Sequence, residues 1–266
     1  MTLSRTGVAF TPRDHTGYGR PHADQTGLLP FTEPANDKGN MADISLREAA
    51  VIAGIGYLVI FLFGLSNVRR EKLIVRGDAA ATASNIRASE SRFRAFIATW
   101  IVMLVADVVV AWALYVFLKP AGDSLSLLTA WVRLVYVAVA AIAVVNLLSL
   151  LDLVRSADDS EAFQTDQINA QAMRYLSSYD FGFNVGYVFF GLHILGLVYL
   201  IVRSDYIPSV LGILLIVASV GYLIDSFASF LSSRYANNEA FFFVFVAVPA
   251  IISELSLTVW LLFWGG

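Results

Sequence analysis

The sequence predicts an all-α fold, a polytopic membrane bundle of six transmembrane helices. Its composition is 58% hydrophobic and only 15% charged, which is more apolar than a soluble globular domain. Six apolar runs each reach the roughly 20 residues that a helix needs to cross a hydrocarbon core about 30 Å thick. The runs are apolar on nearly all faces, whereas a surface helix of a soluble protein is apolar on one face.

Residues 1–43 precede the first run and have the composition of a disordered tail. Gly, Pro, Thr, Asp and Arg occur without a periodic apolar pattern, and the apolar region of a signal peptide is missing. Met41 stands just before the first run and is an alternative start of translation. A real but unstructured tail and a start at Met41 both stay open, and 44–266 is the predicted six-helix transmembrane domain.

The six spans follow one another with short or polar connections. The apolar runs lie at about 48–67, 95–117, 126–151, 181–202, 207–231 and 240–264. The connections near 118–125, 203–207 and 232–239 are tight, so the spans that they join are predicted to be antiparallel neighbours. Trp131, Tyr179, Tyr206 and Tyr235 lie near the ends of runs, where aromatic residues meet the membrane interface.

Two longer connections carry opposite charge. The loop 68–94 is rich in arginine, and within it Gly77-Asp78 precedes an alanine-rich segment, which predicts a short helix over 79–91 with Asp78 as its N-cap. The connection 152–180 is acidic and is predicted to be a loop. Because Lys and Arg favour the cytoplasmic side, their distribution predicts a cytoplasmic loop 68–94 and both termini outside.

Ionisable groups at membrane depth are costly and therefore indicate functional sites or structural ion pairs. The candidate site residues are Asp107, Arg133, His193, Asp225 and Glu254, with Asn146 as a neutral companion. At about 1.5 Å of rise per residue, Asp107, His193 and Glu254 fall within about 3 Å of the midplane. Arg133 lies about 8 Å toward the 118–125 connection, and Asp225 and Asn146 lie about 9–11 Å toward the opposite side.

These depths predict specific pairs. Arg133 and Asn146 point in directions about 220° apart around one helix, so Arg133 is expected to meet Asp107 or Glu254 while Asn146 contacts another helix. Small residues on the same faces indicate which faces point into the bundle. They are Gly182 and Gly186 before His193, Gly221 and Ser229 around Asp225, and Ala247, Ala250 and Thr258 around Glu254. His193 and Glu254 are therefore predicted to face each other.

Several function classes are excluded or disfavoured. The absence of cysteine removes thiolate catalysis, disulfides and cysteine-based metal sites. The net charge of −3 gives no reason to expect a nucleic-acid partner, and no nucleotide-binding or hydrolase motif is present. His193 has no second ligand at metal-binding spacing, so no metal site and no cofactor are predicted. The expected partner is the lipid bilayer, and neither a small-molecule or lipid ligand nor an oligomeric state is identified.

Three hypotheses of function remain, and whether the protein is an enzyme stays open. The midplane residues suit a small transporter or proton-coupled protein, an intramembrane enzyme that acts on a lipid or prenyl group, or a structural or partner-binding membrane protein. A wet cavity that reaches one surface favours the first hypothesis. A lateral opening toward lipid favours the second. A dry bundle with every charge paired favours the third.

A series of segments also resembles one family. The segments are Phe190–His193, Ile207–Gly212, Gly221–Ser226, Pro249-Ala250 with Glu254, and Trp260–Leu262, and the loop Gly77–Ala83 is similar as well. Over about 44–264 the chain resembles the bacterial six-helix membrane proteins catalogued as domain of unknown function 4386. The resemblance implies a multi-pass protein of the cell (plasma) membrane, and no activity. It favours Met41 and implies both termini inside, so both orientations stay open.

Overall fold

The computed structural model describes residues 44–75, 77–159, 165–232 and 235–265. The predicted tail and the alternative start at Met41 lie outside the described residues. In the described part of the chain all regular structure is helical, as the sequence predicts. The helices are α1 (Leu46–Arg70), α2 (Ala79–Ala88), α3 (Glu90–Leu118), α4 (Asp123–Asp159), α5 (Thr165–Arg203), α6 (Ser209–Leu231) and α7 (Tyr235–Phe263), with single 3-10 turns at Glu71–Leu73 and Lys119–Ala121.

Six of these seven helices, all except α2, are long and apolar enough to cross a membrane. The predicted six-span fold is therefore confirmed. Short turns join α3 to α4 and α5 to α6, so each pair is antiparallel. The side of the membrane that carries α2 is called the α2 side below, and the side that carries these two turns is called the turn side.

The six spans pack in a closed ring. Each packs mainly against two others, in the cyclic order α1, α3, α4, α5, α6, α7 and back to α1. On the turn side, the Arg47 guanidinium closes the contact between the first and last spans. It donates to the carbonyl oxygens of Leu262 at 2.7 Å and Gly265 at 2.8 Å. A cation at a helix C-terminus stabilises carbonyl groups that lack intrahelical partners.

The helices α4 and α5 are longer than predicted. They contain 37 and 39 residues, which is about 55 Å at 1.5 Å per residue and well beyond a core of about 30 Å. The prediction of a loop over 152–180 is therefore wrong for its described ends. Val154, Ala172 and Leu176 belong to the buried core, because both helices continue on the α2 side with an apolar face that packs against protein.

The short helix α2 covers this extension. Asp78 caps it as predicted, with the carboxylate accepting from the Ala81 amide at 2.8 Å. Gly77 precedes the cap at a φ of 82°, a left-handed conformation that glycine adopts without strain. The helix ends at Ala88, earlier than predicted, because Ser89 leaves helical geometry before α3 begins. Through Thr82 and Ile86, which are fully buried, α2 packs against α3, α4 and α5.

Small residues set the distance between α4 and α5. A Cβ atom built on Gly182 would lie 2.7 Å from the Ala143 Cβ, and one built on Gly186 would lie 3.3 Å from the Tyr136 ring. The two backbones therefore approach more closely than larger residues permit. The prediction that this face of α5 points into the bundle is confirmed.

Candidate intramembrane polar site

Each of the six spans contributes at least one polar or ionisable side chain to the interior of the ring, and six of these side chains are considered together. They are Tyr57 of α1, Asp107 of α3, Arg133 of α4, His193 of α5, Tyr222 of α6 and Glu254 of α7. We call these six residues the central layer. It has two parts, a buried network around Arg133 and a cavity beside Glu254.

The network is centred on an arginine that is 1% exposed. Arg133 Nε donates to Asp107 Oδ1 at 3.1 Å, and Nη2 donates to the same oxygen. The prediction that Arg133 meets an acid is confirmed. Pairing offsets part of the cost of holding each charge away from water, and removing one partner would leave an uncompensated buried charge.

The imidazole of His193 is held in one protonation state by its neighbours. Its Nε2 lies 3.0 Å from Arg133 Nη1, and its Nδ1 lies 2.9 Å from the Thr129 carbonyl oxygen. A guanidinium only donates and a carbonyl only accepts, so Nε2 is the acceptor and Nδ1 carries the proton. His193 is therefore a neutral imidazole with both nitrogens engaged.

The hydrogen bonds of His193 do not include Glu254, the partner that the sequence analysis predicted. Both ring nitrogens of His193 bind groups of α4, and the two neighbours of α5 in the ring are α4 and α6. Glu254 lies on α7, two positions further round. Depth and small-residue faces gave the height of each side chain and its inward direction, but the order of helices around the ring decides which inward groups meet.

Tyr57 completes the network and was missed by the sequence analysis. Arg133 Nη1 donates to its hydroxyl oxygen at 2.9 Å. The rings of Tyr57 and Phe190 flank the guanidinium, with centroids 5.0 and 5.5 Å from its carbon, a geometry that favours a cation. One signal was available, since Tyr57 stands in the middle of the first apolar run, where an interfacial tyrosine does not belong.

A cavity of about 190 Å³ lies between α1, α6 and α7. Its walls are mostly apolar, and its lining residues are Tyr57, Ile60, Phe61, Tyr222, Ala247, Ala250, Ile251, Glu254, Leu255 and Thr258. The predicted stripe of small residues around Glu254 thus faces inward, as expected. The Glu254 carboxyl interacts with the Tyr222 hydroxyl and lies in the electrostatic field of Arg133 and Asp107. Its Oε1 atom is buried and has no hydrogen-bond partner among the described residues.

One wall of this cavity belongs to the lipid-facing surface. Ile251 is 45% exposed and lies at the middle of the span Ala240–Phe263. Phe61 on α1 is partly exposed as well. An exposed residue at mid-height of a span contacts hydrocarbon, so Ile251 lines the cavity and also faces lipid.

Two predicted site residues lie outside the central layer. Asp225 accepts a hydrogen bond from the Tyr235 hydroxyl at 2.8 Å, which links the adjacent ends of α6 and α7. Asn146 does not donate to another helix, contrary to the prediction. Its amide donates to the carbonyl oxygens of Ile142 at 3.2 Å and Ala143 at 3.3 Å in its own helix. Carbonyls three and four residues back lie within reach of a short polar side chain, which can therefore be satisfied without a partner helix.

Within the described residues, no three His, Asp or Glu side chains are arranged to hold a metal ion. The groups that remain able to act on another molecule are those that line the cavity. They are the Glu254 carboxyl and the hydroxyls of Tyr57, Tyr222 and Thr258, the last of which donates to the Glu254 carbonyl oxygen at 2.6 Å.

Comparisons with known proteins agree with the fold and give no activity. A family model described as "Domain of unknown function (DUF4386)" matches residues 52–265. A protein of Archaeoglobus fulgidus named "Uncharacterized protein" is 29% identical over 163 residues, which cover 61% of this chain and 79% of that protein. No solved structure matches the chain.

Proposed function

Since this chain belongs to the DUF4386 family, whose description states no activity, we propose a function from the geometry of its cavity. The protein binds a small amphiphilic molecule that enters from the lipid phase, with the polar end of that molecule beside Glu254. The observation that carries this proposal is the buried Oε1 atom of Glu254, which lacks a partner in the described structure and belongs to a residue lining the cavity. Buried polar atoms are nearly always hydrogen-bonded, so an unmet oxygen here indicates that a bound group supplies the bond.

The size of the cavity limits how much of the molecule enters. Its volume of about 190 Å³ is below the 300–1,000 Å³ or so of a pocket for a whole drug-sized ligand. It suits a polar end group and a few adjoining carbon atoms. The remaining apolar chain would lie outside, against the lipid-facing surfaces of α1 and α7.

The geometry discriminates among the three hypotheses of function. Arg133, Asp107 and His193 bind one another and the protein, which supports a structural role for that half of the central layer. The cavity is lined in part by residues that face lipid at mid-height of the spans, which supports a ligand from the membrane over a water-borne substrate. Transport or chemical conversion of that ligand would then act through Glu254.

We also propose that the membrane is the cell (plasma) membrane of a bacterium. The six spans support a membrane location without identifying the membrane, and the resemblance to bacterial proteins supports this choice. Fractionation of the native cells followed by immunodetection tests it, and recovery in another membrane would overturn it.

Labelling with dicyclohexylcarbodiimide tests access to the cavity, because this apolar reagent reaches carboxyl groups from the lipid phase. We expect it to modify Glu254 and to spare Asp107, whose carboxylate is held by Arg133. Filling the cavity with Ala250→Leu should slow the labelling. The matched control is Ala138→Leu, at an exposed mid-span position of α4, which should leave the rate unchanged. Equal labelling of Asp107 would contradict the proposed access route.

Native mass spectrometry of the purified protein tests binding itself. The wild-type protein and Ala138→Leu should retain a lipid-soluble adduct after mild detergent extraction. Ala250→Leu should lose it, since the added side chain occupies the cavity. Equal retention by all three proteins would place the adduct elsewhere and refute the proposal.

A further inference from the structure

We infer that the molecule bound beside Glu254 carries a hydroxyl group at the end of an apolar chain, so that it belongs to the long-chain alcohols. This inference rests on the proposed function and specifies its ligand. It follows from the hydrogen bonding of two groups at the cavity wall, the Tyr57 hydroxyl and the Glu254 carboxyl.

The wall offers a donor. Arg133 Nη1 donates to the Tyr57 hydroxyl oxygen at 2.9 Å, so Tyr57 acts as the acceptor in that bond. Its own hydrogen is left to donate, and within the described structure no acceptor receives it. Because Tyr57 lines the cavity, a ligand atom that accepts a hydrogen bond fits at this position.

The same wall offers an acceptor. Glu254 Oε1 is buried and unpaired in the described part of the chain, and a carboxyl oxygen accepts hydrogen bonds through its lone pairs. A ligand group that donates fits there. A hydroxyl is one of the few small groups that donates one hydrogen bond and accepts another through the same atom, and it therefore matches both requirements.

Other end groups match only one requirement or bring an unfavourable charge. An ether or ketone accepts from Tyr57 but gives nothing to Glu254. An ammonium group donates to Glu254 but cannot accept from Tyr57, and it would sit close to the Arg133 guanidinium. A carboxylate has no hydrogen to donate to Glu254, and a carboxylate or phosphate would bring its charge into a medium of low dielectric constant, which is costly.

The experiment uses the full chain in phosphatidylcholine nanodiscs, with four probes of one chain length. The probes are dodecanol, dodecyl methyl ether, dodecylamine and dodecanoate. All four are compared by the rise in Tm that they produce. Dodecanol and the ether are also compared by protection of Glu254 against dicyclohexylcarbodiimide, because a carboxylic acid consumes that reagent and an amine attacks its adduct. We expect dodecanol to protect at a concentration about tenfold below that of the ether, which is the effect of one hydrogen bond.

A variant tests the donor. Tyr57→Phe should raise the concentration of dodecanol that gives half-protection by about tenfold, again the effect of one hydrogen bond. The matched control is Tyr199→Phe, a lipid-exposed tyrosine of α5 that lies outside the cavity, and it should change nothing. If Tyr57→Phe does not fold, the ranking of the four probes on the wild-type protein still decides the question.

The outcomes separate this inference from the proposed function. A larger rise in Tm with dodecylamine, dodecanoate or the ether than with dodecanol would overturn the alcohol class and leave binding at Glu254 in place. No protection and no rise in Tm with any of the four probes would overturn both. Dodecanol as the strongest probe, with its advantage reduced in Tyr57→Phe, supports both.

Discussion

Arg133 determines most of the chemistry in the interior of the ring. Its guanidinium donates to Asp107, Tyr57 and His193 and lies between two aromatic rings. A cation at this depth persists only when its donors are matched by acceptors. The residue therefore links four of the six spans, and the loss of any one partner changes the hydrogen bonding and charge pairing of the others.

Removing one partner of the Arg133–Asp107 ion pair should destabilise the protein strongly. Removing both partners should cost less than the sum of the two single losses. Arg133→Met and Asp107→Leu should each destabilise the protein by about 3–5 kcal/mol, because each leaves one buried charge without its partner. The double variant should lose clearly less than the sum. Unfolding in mixed micelles with increasing denaturing detergent measures all four proteins. Additive effects would mean that the two charges do not depend on each other.

The two ring nitrogens of His193 should contribute separately to the stability of the protein. His193→Gln keeps an oxygen that can accept from Arg133 and should cost about 1 kcal/mol, the value of the lost bond to Thr129. His193→Leu also removes the acceptor of the Arg133 Nη1 hydrogen and leaves that buried donor unpaired, which should cost roughly a further 1–3 kcal/mol. The same detergent titration compares the variants. A loss for His193→Gln as large as that for His193→Leu would contradict the assigned hydrogen bonds.

The sequence predicted the partner of Arg133 but not that of His193. Asp107 and Glu254 were the only acids near the right depth, so the choice for the arginine was narrow. The partners of His193 are a guanidinium and the Thr129 carbonyl, and a backbone carbonyl leaves no trace in a residue pattern. Tyr57 was missed for a related reason, since its role depends on a neighbour from another helix.

At the scale of elements, the six spans follow from the thickness of the bilayer, whereas the extensions of α4 and α5 beyond the membrane do not. Six apolar runs predicted six spans because hydrocarbon thickness sets a minimum length. The extensions of α4 and α5 were missed because outside the membrane a helix is stabilised by packing against protein. Val154 and Leu176 are buried there, in a segment whose acidic composition resembles a loop.

Close packing of α4 against α5 can be tested with one methyl group. Gly182→Ala should destabilise the protein by about 1–3 kcal/mol, as overpacking does, since the new Cβ would lie 2.7 Å from that of Ala143. Gly64→Ala in α1 is the matched control. Its Cβ would meet only the Met103 methyl group at 3.7 Å, so it should be neutral or slightly stabilising through helix propensity. Equal effects on Tm would show that α4 and α5 are not in close contact at Gly182.

At the scale of the whole molecule, the order of the helices around the ring could not be predicted from the sequence. Each run is apolar on nearly all sides, so no face of a helix identifies its neighbour. The closed order from α1 round to α7 places Glu254 and Tyr57 on adjacent helices and creates the lateral cavity between them. The function proposed above thus depends on a property that appears only at this scale.

Orientation in the membrane is a prediction for the whole molecule, and the cysteine-free sequence makes it testable with single cysteines. The described α2 side carries Lys72, Arg87, Arg92, Arg94, Arg155 and Arg174, whereas the turn side carries Arg47, Lys119 and Arg203. The excess predicts that the α2 side faces the cytoplasm. Two exposed positions report on the two sides, Ser84 in α2 and Asp205 in the turn between α5 and α6.

We expect a membrane-impermeant maleimide to label Asp205→Cys in intact cells and to label Ser84→Cys only after the cells are permeabilised. The unmodified protein is the control, since it has no thiol to react. The reverse pattern would place both termini in the cytoplasm, as the family resemblance implies, and would show that the basic residues of the α2 side do not set the orientation. Labelling of both positions in intact cells would contradict the six-span fold, because the two residues would then share one side of the membrane.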